Sequence, residues 1–229
     1  ALAKELPSTS QVPPVDFEDA FRPHVEAGKD VLAITLASGL SATYESAVTA
    51  ARRVAPDKIH VVDSMSASFG HVLLLKQAVI MRDEGLLSAA QMADELRRLA
   101  PRIRLYAVVD TLKYLKMGGR LSGGAALMGG LLSIKPLLYV QEGKVLSMAK
   151  VRGEKNVIKT LLEYFLKDNP QLQYGVSFGN AVARPLMEQT IRQFKPHLGE
   201  APVYAGDLGA VIGTHAGPGV VGVGFILPE

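Results

Sequence analysis

The chain has 229 residues, of which 48% are hydrophobic and 21% are charged, so it is long enough to bury a substantial core in one or two domains. It contains no cysteine, which excludes disulfides, thiolate metal sites and a cysteine nucleophile. The formal net charge is +3, and the basic side chains are dispersed among acidic ones, which argues against a nucleic-acid partner.

No sequence feature predicts a membrane span, a leader or a bound cofactor. No apolar run approaches the roughly 18 residues of a transmembrane helix. The first residues, Ala1 to Gln11, lack the apolar core of a signal peptide, which favours a cytoplasmic protein. The histidines follow no ligand spacing, so we expect neither a metal site nor a cofactor.

The first hundred residues alternate between helix and strand patterns. After an entry segment of about 16 residues, a helix is predicted from Val15 to Gly28. A buried strand then opens the stretch Val31 to Ala51 and turns into a second helix, and another strand covers Lys58 to Asp63. Two further helices follow. The first begins near Ser68 and is expected to end at Gly85, and the second begins at Ser88, which has capping-box spacing to Gln91. This alternation predicts an α/β fold with a parallel sheet and covering helices.

The turn between the first strand and its helix, Ser38 to Ser41, is the first candidate site. Free backbone N–H groups and the helix dipole favour an anion there, and hydroxyls at Ser38, Ser41 and Thr43 would add donors. Asp63 would lie at the same sheet edge, where ligands bind in parallel sheets. Alternatively, Ser41 only caps the helix that follows it.

Beyond Pro101 the pattern changes to antiparallel pairing, and we therefore predict domains at 1–101 and 102–229. The second domain is expected to be a mixed or antiparallel α/β unit, with a hairpin that turns at Glu142 and Gly143. The other predicted elements are strands at 105–109, 134–140 and 145–151, a helix at 154–166, a strand at 173–178, a helix at 181–194 and a strand at 202–204. Segments 123–132 and 206–227 are rich in glycine and apolar residues.

Arg120 and His215 are the candidate cationic and titratable groups of this half. Arg120 follows two glycines, and its guanidinium can hold a carboxylate or phosphate in bidentate fashion. His215 is flanked by Gly213 and Gly217, and a histidine in such a loop can contact an anion or move a proton. The alternatives are an ordinary surface arginine and a histidine hydrogen-bonded for structure.

A serine hydrolase is the competing function. The stretch Gly175 to Gly179 has the nucleophile-elbow pattern around Ser177. Asp207 and His215 follow in the order of a hydrolase triad. Too little chain follows Ser177 for the strands that a hydrolase sheet requires, and the five-residue pattern is permissive, so we keep this hypothesis as the alternative.

Four blocks of the sequence resemble the DegV family of bacterial fatty-acid-binding proteins. They occur in the family's order and span nearly the whole chain. They are Thr9-Ser-Gln11, Ser38-Gly-Leu-Ser-Ala-Thr-Tyr-Glu-Ser-Ala47, Leu112-Lys-Tyr-Leu-Lys-Met-Gly-Gly-Arg-Leu-Ser122 with Ile134-Lys-Pro136, and Gly213-Thr-His-Ala-Gly-Pro-Gly219.

The resemblance implies a two-domain DegV-like fold and a lipid carrier without catalytic residues of its own. A long-chain fatty acid of the palmitate or oleate class would occupy a tunnel between the domains, and a partner fatty acid kinase would phosphorylate its carboxylate. Transient contact with a membrane surface is compatible with such a role. The matching motifs place Thr9, Ser38, Ser41, Arg120 and His215 around the carboxylate. A looser match assigns Arg152 to the kinase encounter.

The sequence also departs from the family pattern. Ala37 replaces a serine, Ala42 replaces a glycine, and Val12 stands where proline is usual. The family's opening strand and the βαβ stretch after it have no counterpart before Thr9. We therefore expect this sequence to lack the early part of the protein, and with it one edge of the sheet and the first wall of the tunnel.

Overall fold

The computed structural model describes residues 7–122 and 134–229. The described α-helices are Pro14–Glu26 (α1), Thr43–Val54 (α2), Ser68–Glu84 (α3), Ala89–Leu99 (α4), Lys113–Met117 (α5), Glu154–Lys167 (α6), Arg184–Leu198 (α7) and Ala210–Ala216 (α8). The strands are Val31–Thr35 (β1), Ile59–Asp63 (β2), Ile103–Val108 (β3), Ile134–Gln141 (β4), Lys144–Arg152 (β5), Val176–Ala181 (β6), Val203–Asp207 (β7) and Val220–Ile226 (β8). The glycine-rich segment 123–132 lies outside the described residues.

The described strands form two sheets, as the α/β prediction required. β1 and β2 pair in parallel, with α2 as the crossover between them. The other six strands form a mixed sheet in the order β5-β4-β3-β8-β6-β7, in which only β6 and β7 are parallel. Every described strand before residue 101 belongs to the first sheet and every later one to the second, while the domain limits 1–101 and 102–229 themselves stay a prediction.

Local sequence signals predicted several element ends correctly. Ser88 and Gln91 form a reciprocal capping box at the start of α4. Gly85 ends α3 in the left-handed conformation. The β4–β5 hairpin turns through Glu142 and Gly143, both at positive φ, which is the geometry that matches the twist of paired strands.

Ser41 and the C-terminal segment differ from the predictions. α2 begins at Thr43 with Ala42 in the N-cap position, so the assignment of Ser41 as N-cap was wrong by one residue. Its hydroxyl still accepts a hydrogen bond from the Thr43 N–H at 3.3 Å. The glycine-rich end of the chain contains β8, which lies at the centre of the six-stranded sheet, and the glycines there had hidden its strand pattern.

One face of the six-stranded sheet packs against α6 and α7 around a group of phenylalanines. The rings of Phe165, Phe178, Phe194 and Phe225 are almost fully buried and contact one another at centroid distances between 5.0 and 5.3 Å. Such aromatic contacts add to the stability that burial already provides. Side chains therefore fill this face, whereas the opposite face, which carries Leu105, Ala107 and Leu138, lines a cavity. None of the described helices has the length and hydropathy to cross a membrane.

His71 on α3 predicts how stability depends on pH. Burial lowers its pKa from the ordinary value of 6.5, although a hydrogen bond to the Ile34 backbone and the Asp63 carboxylate oppose the shift. Below pH of about 6.5 the unfolded chain therefore binds more protons than the folded one, and the free energy of unfolding falls as pH falls. Urea unfolding at pH 7.5 and 5.5 measures this, and His71→Gln is expected to reduce the difference. An unchanged difference in His71→Gln would contradict the assignment.

Candidate functional site

A cavity of about 250 Å³ lies against the open face of the six-stranded sheet. Its apolar floor comes from alternate residues of three neighbouring strands, which strand geometry directs to the same face. Val145, Val140 and Leu105 are paired neighbours in one row, and Leu138 and Ala107 in the next. The rest of the lining comes from other parts of the chain, namely the segments around Leu36, Leu40 and Phe69 together with α8.

Polar side chains close one part of this cavity. They come from four separate stretches of the chain and lie on its lining: Thr9, Ser41, Thr43, Arg120 and His215. Among the sequence-predicted residues, Thr9, Ser41, Arg120 and His215 are thus brought to one cavity. Hydrogen bonds, together with a contact between the His215 imidazole and Gly118, link them into a group that we call the polar ring.

His215 and Thr9 form the first link of the polar ring. His215 Nε2 lies 2.7 Å from Thr9 Oγ1. The imidazole lies against Gly118, where a side-chain carbon would overlap Nδ1, and Nδ1 has no partner among the described residues. The pKa of His215 is lowered, first by burial and then by the Arg120 charge, so the neutral form is favoured. His215 sits on the last turn of α8, and the prediction of a glycine loop around it was wrong.

Arg120 joins the two sides of the polar ring. Its Nη1 donates to the Gly118 carbonyl oxygen at 2.7 Å, and its Nε donates to the Leu40 carbonyl oxygen at 3.2 Å. Two backbone carbonyls therefore fix the guanidinium beside the cavity. Arg120 is only half-exposed, unlike the freely solvated arginine that the alternative interpretation described.

Ser41 and Thr43 complete the ring. Their hydroxyl oxygens are 2.9 Å apart, and Thr43 Oγ1 accepts from the Val12 N–H at 3.3 Å. Val12 follows Thr9 by three residues, so this hydrogen bond connects Thr43 to the segment that carries Thr9. The site thus presents hydroxyls, an imidazole and one guanidinium beside an apolar floor, a combination suited to an amphiphile with an anionic end.

Ser38 lies outside this group. Its side chain is exposed and is absent from the cavity lining. Its backbone N–H donates to both carboxylate oxygens of Asp63 at 3.2 Å, and the Met65 N–H also donates to Asp63 at 2.8 Å. In this structure the turn therefore binds a carboxylate of its own chain. Arg152 is exposed at the end of β5 and also lies outside the lining.

The hydrolase triad is not assembled. Ser177 is buried in β6, where its Oγ donates to the Phe69 carbonyl oxygen at 2.6 Å. Asp207 pairs with Arg184 and Asn180 instead, and His215 pairs with Thr9. The serine hydroxyl has no base within hydrogen-bond reach among the described residues, so the geometry that nucleophilic catalysis requires is absent from them.

Sequence reasoning missed two parts of the site. The alternating apolar residues of β3 and β4 were recognised as strands, but nothing in their pattern showed which face would stay open. Phe69 was placed only at the start of a helix, although it lines the cavity. Among the described residues, no cluster of His, Asp and Glu is placed to hold a metal ion.

Known proteins resemble this chain over nearly its whole length. The family model described as "Uncharacterised protein, DegV family" matches residues 1–227. A DegV domain-containing protein of Streptococcus pyogenes serotype M1 is 37% identical, over 97% of this chain and 78% of its own length.

Two solved structures also match nearly all of the chain. The DegV lipid-binding protein of Thermotoga maritima matches with a TM-score of 0.86 and 30% identity, over 99% of this chain and 79% of that one. A DegV family protein of Thermus thermophilus, whose structure is described by its fatty-acid binding, matches with a TM-score of 0.84 and 32% identity, over 96% of this chain and 79% of that one. The polar blocks around Ser41, Arg120 and His215, the fold and these matches together assign the chain to the DegV family.

Proposed function

We propose that this chain binds a long-chain fatty acid of the palmitate or oleate class and presents its carboxylate to a partner kinase. The observation that carries the proposal is the apolar cavity with the polar ring at its margin. Burying an acyl chain contributes about 0.8 kcal/mol per methylene, so a few polar contacts suffice for tight binding. The fatty-acid binding described for the Thermus thermophilus relative supports this ligand class.

The lining supports a tunnel between two domains. Leu36, Leu40 and Phe69 come from the part of the chain before residue 101, whereas Leu138 and Val145 come from the part after it. A ligand in this position would contact both parts at once. Its carboxylate would lie against Thr9, Ser41, Arg120 and His215, as the resemblance implies.

The chain is proposed to act as a carrier. Acyl-phosphate formation requires ATP held by a phosphate-binding loop or an equivalent site, and the sequence contains no Gly-x-x-x-x-Gly-Lys-Ser/Thr motif. We therefore assign the ATP site to a partner kinase. Ser41, Arg120 and His215 are each partly exposed, which supports access by a partner to a carboxylate held there. Arg152, exposed and outside the lining, is retained as the residue that contacts the partner.

Mass spectrometry of an organic extract of the purified protein tests the ligand class. We expect a fatty acid in stoichiometric amount, together with high-affinity binding of added oleate to delipidated protein. Empty extracts combined with no binding of oleate or palmitate would overturn the proposal.

His215→Ala separates presentation of the carboxylate from binding. A neutral imidazole is expected to contribute about 2- to 10-fold to fatty-acid affinity. Its loss should lower kinase-dependent ATP turnover by about 10²-fold or more, because a donor at this position offsets the repulsion between the carboxylate and the incoming anionic phosphoryl group. Oleate affinity is measured on the delipidated protein, and ATP turnover is measured with a fatty acid kinase that acts on DegV-family proteins. In the same assays, Arg152→Ala should raise the concentration of carrier that the kinase requires without changing oleate affinity.

The matched control is His197→Ala, since His197 is exposed on α7 and outside the cavity lining. It is expected to leave affinity and turnover unchanged. Equal losses of affinity and turnover in His215→Ala would show that this residue only holds the ligand. Turnover by this chain with ATP alone would contradict the assignment of the chemistry to a partner.

A further inference from the structure

Phe69 occupies a notch in the six-stranded sheet. Its ring is buried and lies over Gly179 of β6 and Gly222 of β8, which are paired neighbours. A side-chain carbon at Gly179 would overlap ring atoms of Phe69, and its three nearest atoms all belong to that ring. The two glycines therefore make the space in which the ring is seated.

The backbone of Phe69 is held as well. The buried Ser177 hydroxyl donates to the Phe69 carbonyl oxygen at 2.6 Å and lies 3.2 Å from the Gly224 carbonyl oxygen. This contact draws the first turn of α3 against the sheet, where Gly70 and Gly224 approach each other closely. The sheet therefore contacts both the ring and the backbone of Phe69.

That position makes the ring a wall of the cavity. Leu138, Ala107, Gly222 and Gly179 follow one another in a single row across the sheet. The first two residues of the row line the cavity, whereas the last two lie beneath Phe69. The Arg120 loop contacts the sheet at its β5 edge, where the Ser122 N–H donates to the Val145 carbonyl oxygen at 2.8 Å. Along this row of the sheet, Phe69 therefore bounds the cavity on the side away from the Arg120 loop.

We propose that Phe69, seated on Gly179 and Gly222 and held by Ser177, sets the acyl-chain length that the cavity accepts. The inference rests on the proposed fatty-acid ligand. An acyl chain gains affinity for each methylene it buries, by about 4-fold per methylene, until it meets a fixed wall. Such a wall is hard to displace because protein interiors are closely packed. The residue that forms the wall therefore determines the acyl-chain length beyond which affinity stops rising.

The test compares the affinities of delipidated variants for myristate, palmitate, stearate and arachidate. Phe69→Ala removes the ring that forms the wall. The arachidate-to-palmitate affinity ratio is then expected to rise by about 4-fold for each further methylene that becomes buried. Gly179→Ala pushes the ring into the cavity, and the ratio is expected to fall. In the double variant the new methyl group meets no ring, so the ratio should return to that of Phe69→Ala.

The matched control is Phe178→Ala, which removes a buried ring next to Gly179 on the opposite face of the sheet. Thermal unfolding of each variant confirms that it is folded, and Phe69→Leu and Phe178→Leu replace any alanine variant that is not. Ratios in the Phe69 and Gly179 variants that equal those of the parent and of the control would overturn the inference while leaving the proposed function intact. A parent that binds none of the four acids would overturn the proposed function and this inference with it.

Discussion

The Thr9→Val variant is expected to bind oleate about 10- to 150-fold more weakly than the parent, and Ser41→Ala by a similar factor. Each substitution removes a hydroxyl from the polar ring, where we propose that the ligand carboxylate lies. Hydrogen bonds to a charged group contribute roughly 1.5–3 kcal/mol, which gives that range of affinity. Isothermal titration of delipidated protein with oleate measures the change.

Ser38→Ala is the control for Ser41→Ala, because both serines belong to one turn and undergo the same substitution. The sequence placed Ser38 at the carboxylate, whereas its side chain is exposed outside the lining, so we expect its loss to leave affinity unchanged. Parent-like binding by Thr9→Val and Ser41→Ala would place the carboxylate elsewhere in the cavity. A loss in Ser38→Ala equal to that in Ser41→Ala would restore the interpretation drawn from the sequence.

Phe225→Ala is expected to lower the free energy of unfolding by about 3–5 kcal/mol, the usual cost of removing a buried phenylalanine ring. Phe225 lies in the central strand β8, is fully buried, and its ring contacts Phe165 and Tyr106 at centroid distances of 5.1 and 5.9 Å. Helices on one side and the sheet on the other prevent collapse of the space it leaves. Urea unfolding at neutral pH measures the loss.

Leu86→Ala serves as its control, because Leu86 is 81% exposed at the loop after α3. A change within about 0.5 kcal/mol is expected there. If Phe225→Ala costs less than about 1 kcal/mol, the aromatic face of the sheet is not the main core of this protein.

Local chemistry in the sequence determined the elements whose signals are short-range. The capping box of Ser88, the left-handed glycine at Gly85 and the two-residue turn at Glu142 each act within a few residues, and all three were predicted correctly. β8 was missed because glycines interrupt its apolar pattern. Those glycines, with Gly222 as the clearest example, serve a contact with a distant helix rather than the strand itself.

The sequence by itself also supplied the motif blocks that assign the family, and with them Thr9, Ser41, Arg120 and His215. Only the tertiary structure decided how they meet: Thr9 and His215 are 206 positions apart and yet hydrogen-bonded. The tertiary structure also buries the Ser177 hydroxyl against backbone carbonyls, so this group is not available as a nucleophile. A pattern of residue types records which groups are available, whereas hydrogen bonds and burial, which depend on packing between remote segments, determine which of those groups remain free to meet a ligand.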